Sequence, residues 1–551
     1  MPPQEEDYIA HVVSSSDGEE DGSTSAASSV GQRSSSSWTD QLILDSQAAA
    51  RRHNVPTHVG WRRNTFHWEL NIYTAIFFAW IYYCLLPVSY RVVFHVGGAL
   101  LLLDIARYYI QKQDMPGVPY TFPLVTIVAM LVRPVRFWAE LACIAMESGQ
   151  GVCTNLLGGK FMIFCTDTAL ARQVMTAEGT FQIYAHPNAL WLFGPKNLIY
   201  MKTDAHKQFR KMLSPALFGK EALEQYTVCQ DQVCRQYMKR YAERCRSTGA
   251  PVDVRLAFRA MAAASSQEAF LGPYLTDKLR SQLETDIVSF TMGFLSFPFP
   301  YCNSGLHQAI KAKNRIESTL EELVPKARDY IQQGHPPRCL MERWCETIRD
   351  AKRDGTLPDC MNDDDVARTI LDFLFAAQDA TNSALVYSLD VLDENRHVLN
   401  KLRNEVAQGK HEYMAKIANK LLHHKPPVPM IPHMARKRTQ LGGRHISAGT
   451  VVIPSITYSA RTSGQSLHFD GETDAEDSQF IKTVTFGAGQ HKCPGRRYAE
   501  SFITTFLRVL AAEYDFCRVG PRPGFDEFIY FPTVFPKDCD FIIQALPPKE
   551  S

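Results

Sequence analysis

A single cysteine in a glycine-rich turn is the residue of this sequence best suited to chemistry. It is Cys493, within residues 486–500, FGAGQHKCPGRRYAE. A deprotonated cysteine is a strong metal ligand, and nearby donors and positive charge stabilise it. Glycine adopts backbone conformations closed to other residues, so Gly487, Gly489 and Gly495 allow the chain to wrap around the sulfur. A structural cysteine needs none of these neighbours; the alternative is a glycine loop with an incidental cysteine.

A helix is expected directly after this turn. Beyond Pro494 and Gly495, the stretch RRYAESFITTFLRVLAAEY has apolar residues at helical spacing: Tyr498, Phe502, Phe506 and Val509. The cysteine would therefore lie just before a helix N-terminus, where the helix dipole favours a negative charge.

Composition excludes two other classes of protein. The 551 residues are 45% hydrophobic and 21% charged with a net charge of +1, whereas nucleic-acid-binding proteins usually carry a strong basic excess. The 14 cysteines include no Cys-x-x-Cys pair, which argues against a zinc site or a disulfide framework. Scattered cysteines in a large chain indicate a reducing compartment.

The N-terminal part differs from the rest of the chain. Residues 1–60 are rich in serine and acidic residues and are predicted to be disordered. Residues 61–110 are predicted to form a membrane anchor, since LNIYTAIFFAWIYYCLLPV (70–88) is uncharged and of bilayer-spanning length. The shorter run VVFHVGGALLLLDIA is either a second pass or an interfacial helix, and a buried core helix is the alternative for the first run. Residues 111–551 form the predicted catalytic domain.

A second candidate site lies in DDDVARTILDFLFAAQDATNSALVYSLDVL. From Val366 onward this stretch predicts one nearly continuous apolar helix of about 25 residues, which belongs in the centre of a protein. An unpaired carboxylate there is costly, so Asp379 either has a partner or takes part in the reaction. The Thr381 hydroxyl is either catalytic or bonded back to its own helix.

A third candidate site combines a histidine and an arginine. His206 and Arg210 are four residues apart, which places them on one helix face. An arginine there is suited to bidentate binding of a carboxylate.

The cysteine loop resembles the haem-binding signature of the cytochrome P-450 family, Phe-x-x-Gly-x-x-x-Cys-x-Gly. The signature is complete as Phe486, Gly489, Cys493 and Gly495. The resemblance implies a haem b cofactor with Cys493 as the thiolate ligand of its iron, which favours O–O cleavage. It also places His491 where most members carry an arginine that faces a haem propionate.

The resemblance extends to the other two sites. FAAQDAT resembles the family's long central helix over the haem, in which Asp379 matches the acid. Ala380 occupies the usual threonine position and Thr381 follows it. The resemblance implies that Asp379 and Thr381 pass protons through water. The resemblance assigns His206 and Arg210 to the haem propionates and adds His433 to the cofactor-binding residues.

Four segments look like the sterol C-22 desaturase branch of the family: FLFAAQDA, FGPKNLIYM, KPPVPMIPHMA and FIYFPTVFPKD. The implied fold is mainly α with small β-sheets, carrying an N-terminal membrane anchor in the endoplasmic reticulum. The implied reaction uses O₂ to remove two vicinal hydrogens from a sterol side chain. Electrons would come from an NADPH-dependent flavoprotein reductase docked near Lys492, Arg496 and Arg497. Other sterol hydroxylation or demethylation, or sterol binding without catalysis, are the alternatives.

One family feature is altered in this sequence. The family stabilises its core with Glu-x-x-Arg and a later arginine, but Lys420 and His423 stand at the first two positions and Thr473 is nearest to the third. A lysine and a histidine cannot neutralise each other, which predicts weaker packing behind Cys493. A divergent active enzyme, a haem protein with reduced turnover and a protein that holds no haem all remain open.

Overall fold

The computed structural model describes residues 88–547, except for residues 185–186, 195, 202, 295, 297, 359–364, 463–483, 523–527 and 532. The predicted disordered tail, residues 70–87 of the first apolar run, and Thr473 lie outside the described residues. The second apolar run is part of a helix, Val88–Lys112. In the described part of the chain, no helix combines the length and the apolar character needed to span a membrane.

Helices make up most of the described chain. They are α1 Val88–Lys112, α2 Pro123–Val132, α3 Pro134–Glu147, α4 Thr168–Thr176, α5 Pro187–Phe193, α6 Thr203–Phe218, α7 Lys220–Thr248, α8 Val254–Leu271, α9 Asp277–Phe294, α10 Gly305–Gln332, α11 Leu340–Arg353, α12 Asp365–Ala376, α13 Asp379–Glu394, α14 Arg396–Ala407, α15 Glu412–His424, α16 Ile456–Thr462 and α17 Arg496–Glu513. This content confirms the predicted mainly helical fold.

The strands are short and form small sheets. They are β1 Val152–Leu157, β2 Lys160–Cys165, β3 Phe181–Ile183, β4 Val252–Asp253, β5 His433–Ala435, β6 Thr439–Leu441, β7 Arg444–Ile446, β8 Val451–Pro454, β9 Tyr514–Arg518, β10 Phe528–Phe531, β11 Thr533–Pro536 and β12 Asp540–Ala545. The five-stranded sheet has the order β1-β2-β8-β5-β3, in which β2 and β8 are parallel. The other sheets are β4-β12-β9, β10-β11 and β6-β7.

The largest hydrophobic cluster surrounds α17, the helix that follows the cysteine loop. Phe502 and Phe506 are fully buried there, and Tyr498 and Val509 are buried as well, so the predicted helical periodicity is confirmed. Helices α13 and α15 pack against α17 within the same cluster. The cysteine loop is therefore anchored at its C-terminal end in the most tightly buried part of the molecule.

The prediction of a single continuous central helix is wrong, because the helix is interrupted between α12 and α13. The N–H of Gln378 points to the carbonyl oxygen of Phe375, three residues earlier, at a distance of 3.5 Å. The backbone ψ angle of Gln378 is −69°. The helix restarts at Asp379, whose carboxylate in the first turn is favourable to the helix dipole. Almost all of α13 is buried, as its apolar pattern predicts.

Candidate active site

The loop before α17 wraps its backbone around Cys493. The Cys493 N–H donates to the carbonyl of Phe486 at 2.8 Å, which closes the loop on itself. Gly487 and Gly489 have φ of +72° and +65°, a region that side chains other than glycine rarely adopt. The predicted role of these glycines in folding the turn agrees with this geometry.

Gly489 also brings the loop close to the end of α4. A Cβ atom at this position would lie 2.6 Å from the carbonyl oxygen of Met175 and 3.1 Å from the Cα of Thr176. Because both atoms belong to the backbone, a larger residue could be accepted only if α4 moved. Gly489 therefore fixes where the loop sits but contributes no surface to the cavity beside it.

The Cys493 thiol experiences opposing electrostatic influences. Burial raises its pKa, while the backbone N–H of Gly495 and the charges of Arg210 and Arg496 lower it. Glu500 raises it again, although this carboxylate is paired with the Nε of Arg496 at 2.8 Å. A thiol of this kind is kept protonated by its dry surroundings and becomes a thiolate when it coordinates a metal.

Two histidines are in contact beside the loop. The rings of His206, on α6, and His491 have centroids 4.3 Å apart. Burial lowers the pKa of His206 to about 4, helped by His491 and Arg210. Burial and Arg210 also lower the pKa of His491, which Glu178 opposes.

His433, on strand β5, completes this group. Its Nδ1 lies 2.7 Å from the carbonyl of Ile431, and burial lowers its pKa to about 4. His206 and His433 are consequently neutral near pH 7. The positive charge on this side of the loop comes from Arg210, a residue that keeps its proton throughout the physiological range.

A cavity of ≈ 250 Å³ lies between the cysteine loop and the α12–α13 junction. Its wall is mainly apolar, with small residues where the junction meets it: Ala376, Ala377, Ala380 and Ala384. Five predicted site residues line this cavity: Thr381, Phe486, His491, Cys493 and Gly495. The other five do not line it: His206, Arg210, Asp379, His433 and Gly489.

Asp379 and Thr381 face different surroundings. Thr381 lines the cavity, whereas the Asp379 carboxylate lies 3.1 Å from the Nε of Arg259 on α8. Burial raises the pKa of Asp379, and Arg259 opposes that rise. Asp379 therefore has the partner that its burial requires. Sequence reasoning missed Arg259, although an arginine within the buried segment VRLAFRAMAAASS was a usable signal.

The altered Glu-x-x-Arg positions lie on α15. His423 is buried, and its Nδ1 is 2.6 Å from the Oγ1 of Thr485. Thr485 immediately precedes Phe486 and lines the cavity. It was not among the predicted site residues, because nothing near it in the sequence indicates its partner.

The residues present fit a haem held by a thiolate. Cys493 faces the cavity, an arginine and N–H-bearing imidazoles lie to one side as donors for carboxylates, and the opposite wall is small and apolar. His206 is 1% exposed, and among the residues that the structure describes its Nδ1 has no hydrogen-bond partner. Such a buried, unpaired nitrogen is suited to a ligand that brings its own polar groups. These features define the haem-thiolate class of proteins.

The chain belongs to the cytochrome P450 family, whose family model matches residues 116–518. It is 30% identical to Cytochrome P450 710A3 of Arabidopsis thaliana, over 81% of this chain and 94% of that protein. It is 25% identical to the C-22 sterol desaturase ERG5 of Saccharomyces cerevisiae, over 82% of this chain and 89% of that protein. The solved structure of retinoic acid bound cyanobacterial CYP120A1 has the same fold, with a TM-score of 0.60 at 20% identity, covering 73% of this chain and 93% of that one.

Membership confirms the predicted family and the predicted class of enzyme, an oxidoreductase that acts as a monooxygenase. The cofactor of the family is a haem whose iron is bound by a cysteine thiolate. The roles of individual residues in this chain remain predictions.

Proposed function

We propose that this protein is a membrane-bound monooxygenase of the endoplasmic reticulum that introduces a double bond at C-22 of a sterol. The observation that carries the proposal is that Cys493 and Thr381 line the same mainly apolar cavity. The similarity to a C-22 sterol desaturase and to a plant cytochrome P450 supports the choice of substrate.

Cys493 would bind the iron of a haem b, and the bound haem would supply O₂ binding and activation. Arg210 would neutralise a propionate, and the imidazoles of His206 and His491 would donate hydrogen bonds on the same side. The neutral His433 ring gives its one N–H to the carbonyl of Ile431, so it would take part in cofactor binding through packing. Phe486, Gly489 and Gly495 would keep the loop in the shape that directs the sulfur at the iron.

The cavity wall would exclude water from the reacting part of the substrate. Aromatic and aliphatic side chains dominate it, which suits the hydrocarbon surface of a sterol. The Thr381 hydroxyl is a polar group in this wall and would hold a proton or a water molecule next to O₂. Asp379, whose carboxylate is paired with Arg259, would act from behind the wall by holding the start of α13 in place.

The reaction balances with a reductase as the source of electrons. One sterol, one O₂, one NADPH and one proton give one sterol with a new C=C bond, two water molecules and NADP⁺. Hydroxylation would give one alcohol and one water molecule from the same reactants. A flavoprotein reductase with an acidic surface would dock near Lys492, Arg496 and Arg497, close to the sulfur.

The experiment is a turnover assay with purified full-length protein, a flavoprotein reductase and NADPH. With a sterol that has a saturated side chain, we expect a product two mass units lighter that carries a C-22 double bond, identified by mass spectrometry. A product heavier by one oxygen atom would show that the enzyme hydroxylates the sterol and does not desaturate it. Sterol binding without any NADPH-dependent product would show that the protein binds sterol but does not catalyse a reaction on it.

Two consecutive helices support a membrane location by presenting apolar side chains to the outside. The exposed residues are Val92, Val93, Val96, Leu100, Leu101, Leu102 and Leu103 on α1, and Leu124, Val125, Val128, Leu131 and Val132 on α2. Contiguous apolar surface of this kind marks contact with a membrane or with another protein.

Deletion of residues 1–110 is expected to release the catalytic domain from membranes in high salt, because it removes the predicted anchor and most of α1. The measurement is fractionation of membranes and supernatant. Unchanged membrane binding would contradict an anchoring role confined to these residues. The same truncation with Val128→Asp and Leu131→Asp then tests whether α2 holds lipid by itself.

A further inference from the structure

The last turn of α15 contacts the segment that leads into the cysteine loop. His423 is 9% exposed, and its Nδ1 lies 2.6 Å from the Oγ1 of Thr485. This is a short, well-formed hydrogen bond between two side chains that are far apart in the sequence. It occurs at a position where the family resemblance expects an arginine.

Helix α15 is a rigid support for this contact. Five of its side chains are buried in the cluster around α17: Met414, Ile417, Ala418, Leu421 and Leu422. Leu422, next to His423, reaches the cavity wall. A hydrogen bond from such a helix can therefore restrain a loop, because the helix itself cannot move without disturbing the core.

Thr485 passes this restraint on to the sulfur. The next residue, Phe486, accepts the N–H of Cys493 at 2.8 Å, and the N–H of Gly487 donates to the carbonyl of Val484 at 3.0 Å. Residues 484–487 thus form the N-terminal side of the turn that encloses Cys493. A displacement of Thr485 would move the carbonyl that holds the cysteine backbone.

We propose that His423 is a positioning residue for Cys493, which it holds through Thr485 and the carbonyl of Phe486. In this chain a neutral or charged imidazole takes over part of the support that an ion pair gives in relatives. Lys420 and His423 therefore do not mark a damaged site. The proposal rests on the role proposed for Cys493 as the iron ligand.

The test uses haem-loaded full-length protein and removes each partner in turn. His423→Leu and Thr485→Val are expected to speed the loss of haem to a haem-free acceptor protein by roughly two- to tenfold, the range of one hydrogen bond. Both should also lower the fraction of the reduced, carbon-monoxide-bound protein that has the red-shifted Soret band of a thiolate-bound haem. The double variant should be no worse than the poorer single variant, since both changes remove the same bond.

Conservative variants and a stability control separate positioning from general damage. His423→Asn and Thr485→Ser keep polar atoms near the bond and should largely restore the spectrum. Met414→Ala leaves a cavity in the same helix, so it should lower the melting temperature without changing the proportion of thiolate-type spectrum.

The proposal is overturned if His423→Leu keeps a wild-type spectrum and rate of haem loss, if the two changes are additive, or if Met414→Ala has the same spectral effect. A wild-type protein whose spectrum lacks the thiolate band, or does not depend on Cys493, refutes the iron-ligand role first and the positioning role with it.

Discussion

Cys493→Ser is expected to abolish the red-shifted Soret band of the reduced, carbon-monoxide-bound protein and to reduce sterol turnover to background. A serine hydroxyl does not ionise near neutral pH, so the iron would lose its anionic sulfur ligand. Burial already disfavours a free Cys493 thiolate, so a bound metal would be needed to favour its deprotonation. Absorption spectroscopy of the purified protein measures the effect.

Cys302→Ser is the matched control. Cys302 is exposed and far in the sequence from the loop, so its replacement should change neither spectrum nor turnover. An unchanged thiolate-type spectrum in Cys493→Ser would show that another cysteine binds the iron. A wild-type chain that takes up no haem would show that the altered α15 positions do not support the cofactor.

Arg259→Leu is expected to destabilise the protein by about 3–5 kcal/mol at pH 8, because it leaves the buried Asp379 carboxylate without its partner. Asp379→Asn in the same background should recover much of this loss, since a neutral amide needs no counter-charge. Denaturant unfolding of the two variants and the wild type measures the difference. If Asp379→Asn recovers nothing, the cost arises from the packing of α8 and not from the unpaired charge.

The pH dependence of Arg259→Leu follows from the direction of the Asp379 pKa shift. Burial raises the pKa of this carboxyl in the folded state, so the folded protein binds a proton that the unfolded chain has already released. Stability is then greatest at acidic pH and falls as the pH rises through the folded-state pKa. Removing Arg259 raises that pKa further, so the variant should lose stability more steeply than the wild type between acidic and neutral pH. Equal slopes for the two proteins would contradict the assignment.

Much of the site was predictable because its signals are local. Cys493, the glycines around it and the helix that follows all fall within one stretch. Their signals are the backbone freedom of glycine and helical periodicity. The same holds for His206 and Arg210, which share one helix face. The strands β2, β8 and β10–β12 likewise coincide with short apolar runs, which are a local signal.

The features that escaped prediction depend on contacts between distant segments. Arg259 and Asp379 are on different helices, and His423 contacts Thr485, 62 residues further along the chain. One sequence without an alignment carries no record of such pairs. The sequence around Gln378 contains no proline or glycine that would predict an interruption of the helix. For the same reason the loss of Glu-x-x-Arg predicts only weaker packing, since the hydrogen bond to Thr485 becomes visible only in three dimensions.

The parallel pairing of β2 with β8 constrains the order in which the chain can fold. Met162 pairs with Val451 and Cys165 with Pro454, so strands from opposite ends of the described chain share one sheet. During synthesis β2 can pair only with β1 at first. Its second partner, β8, becomes available when nearly the whole protein has left the ribosome. Until then the other edge of β2 is unpaired. Because β2 is a short apolar strand (FMIFC), that edge can pair with a second chain. High contact order of this kind slows folding, so we expect the yield of native protein to depend on chaperones that cover this edge.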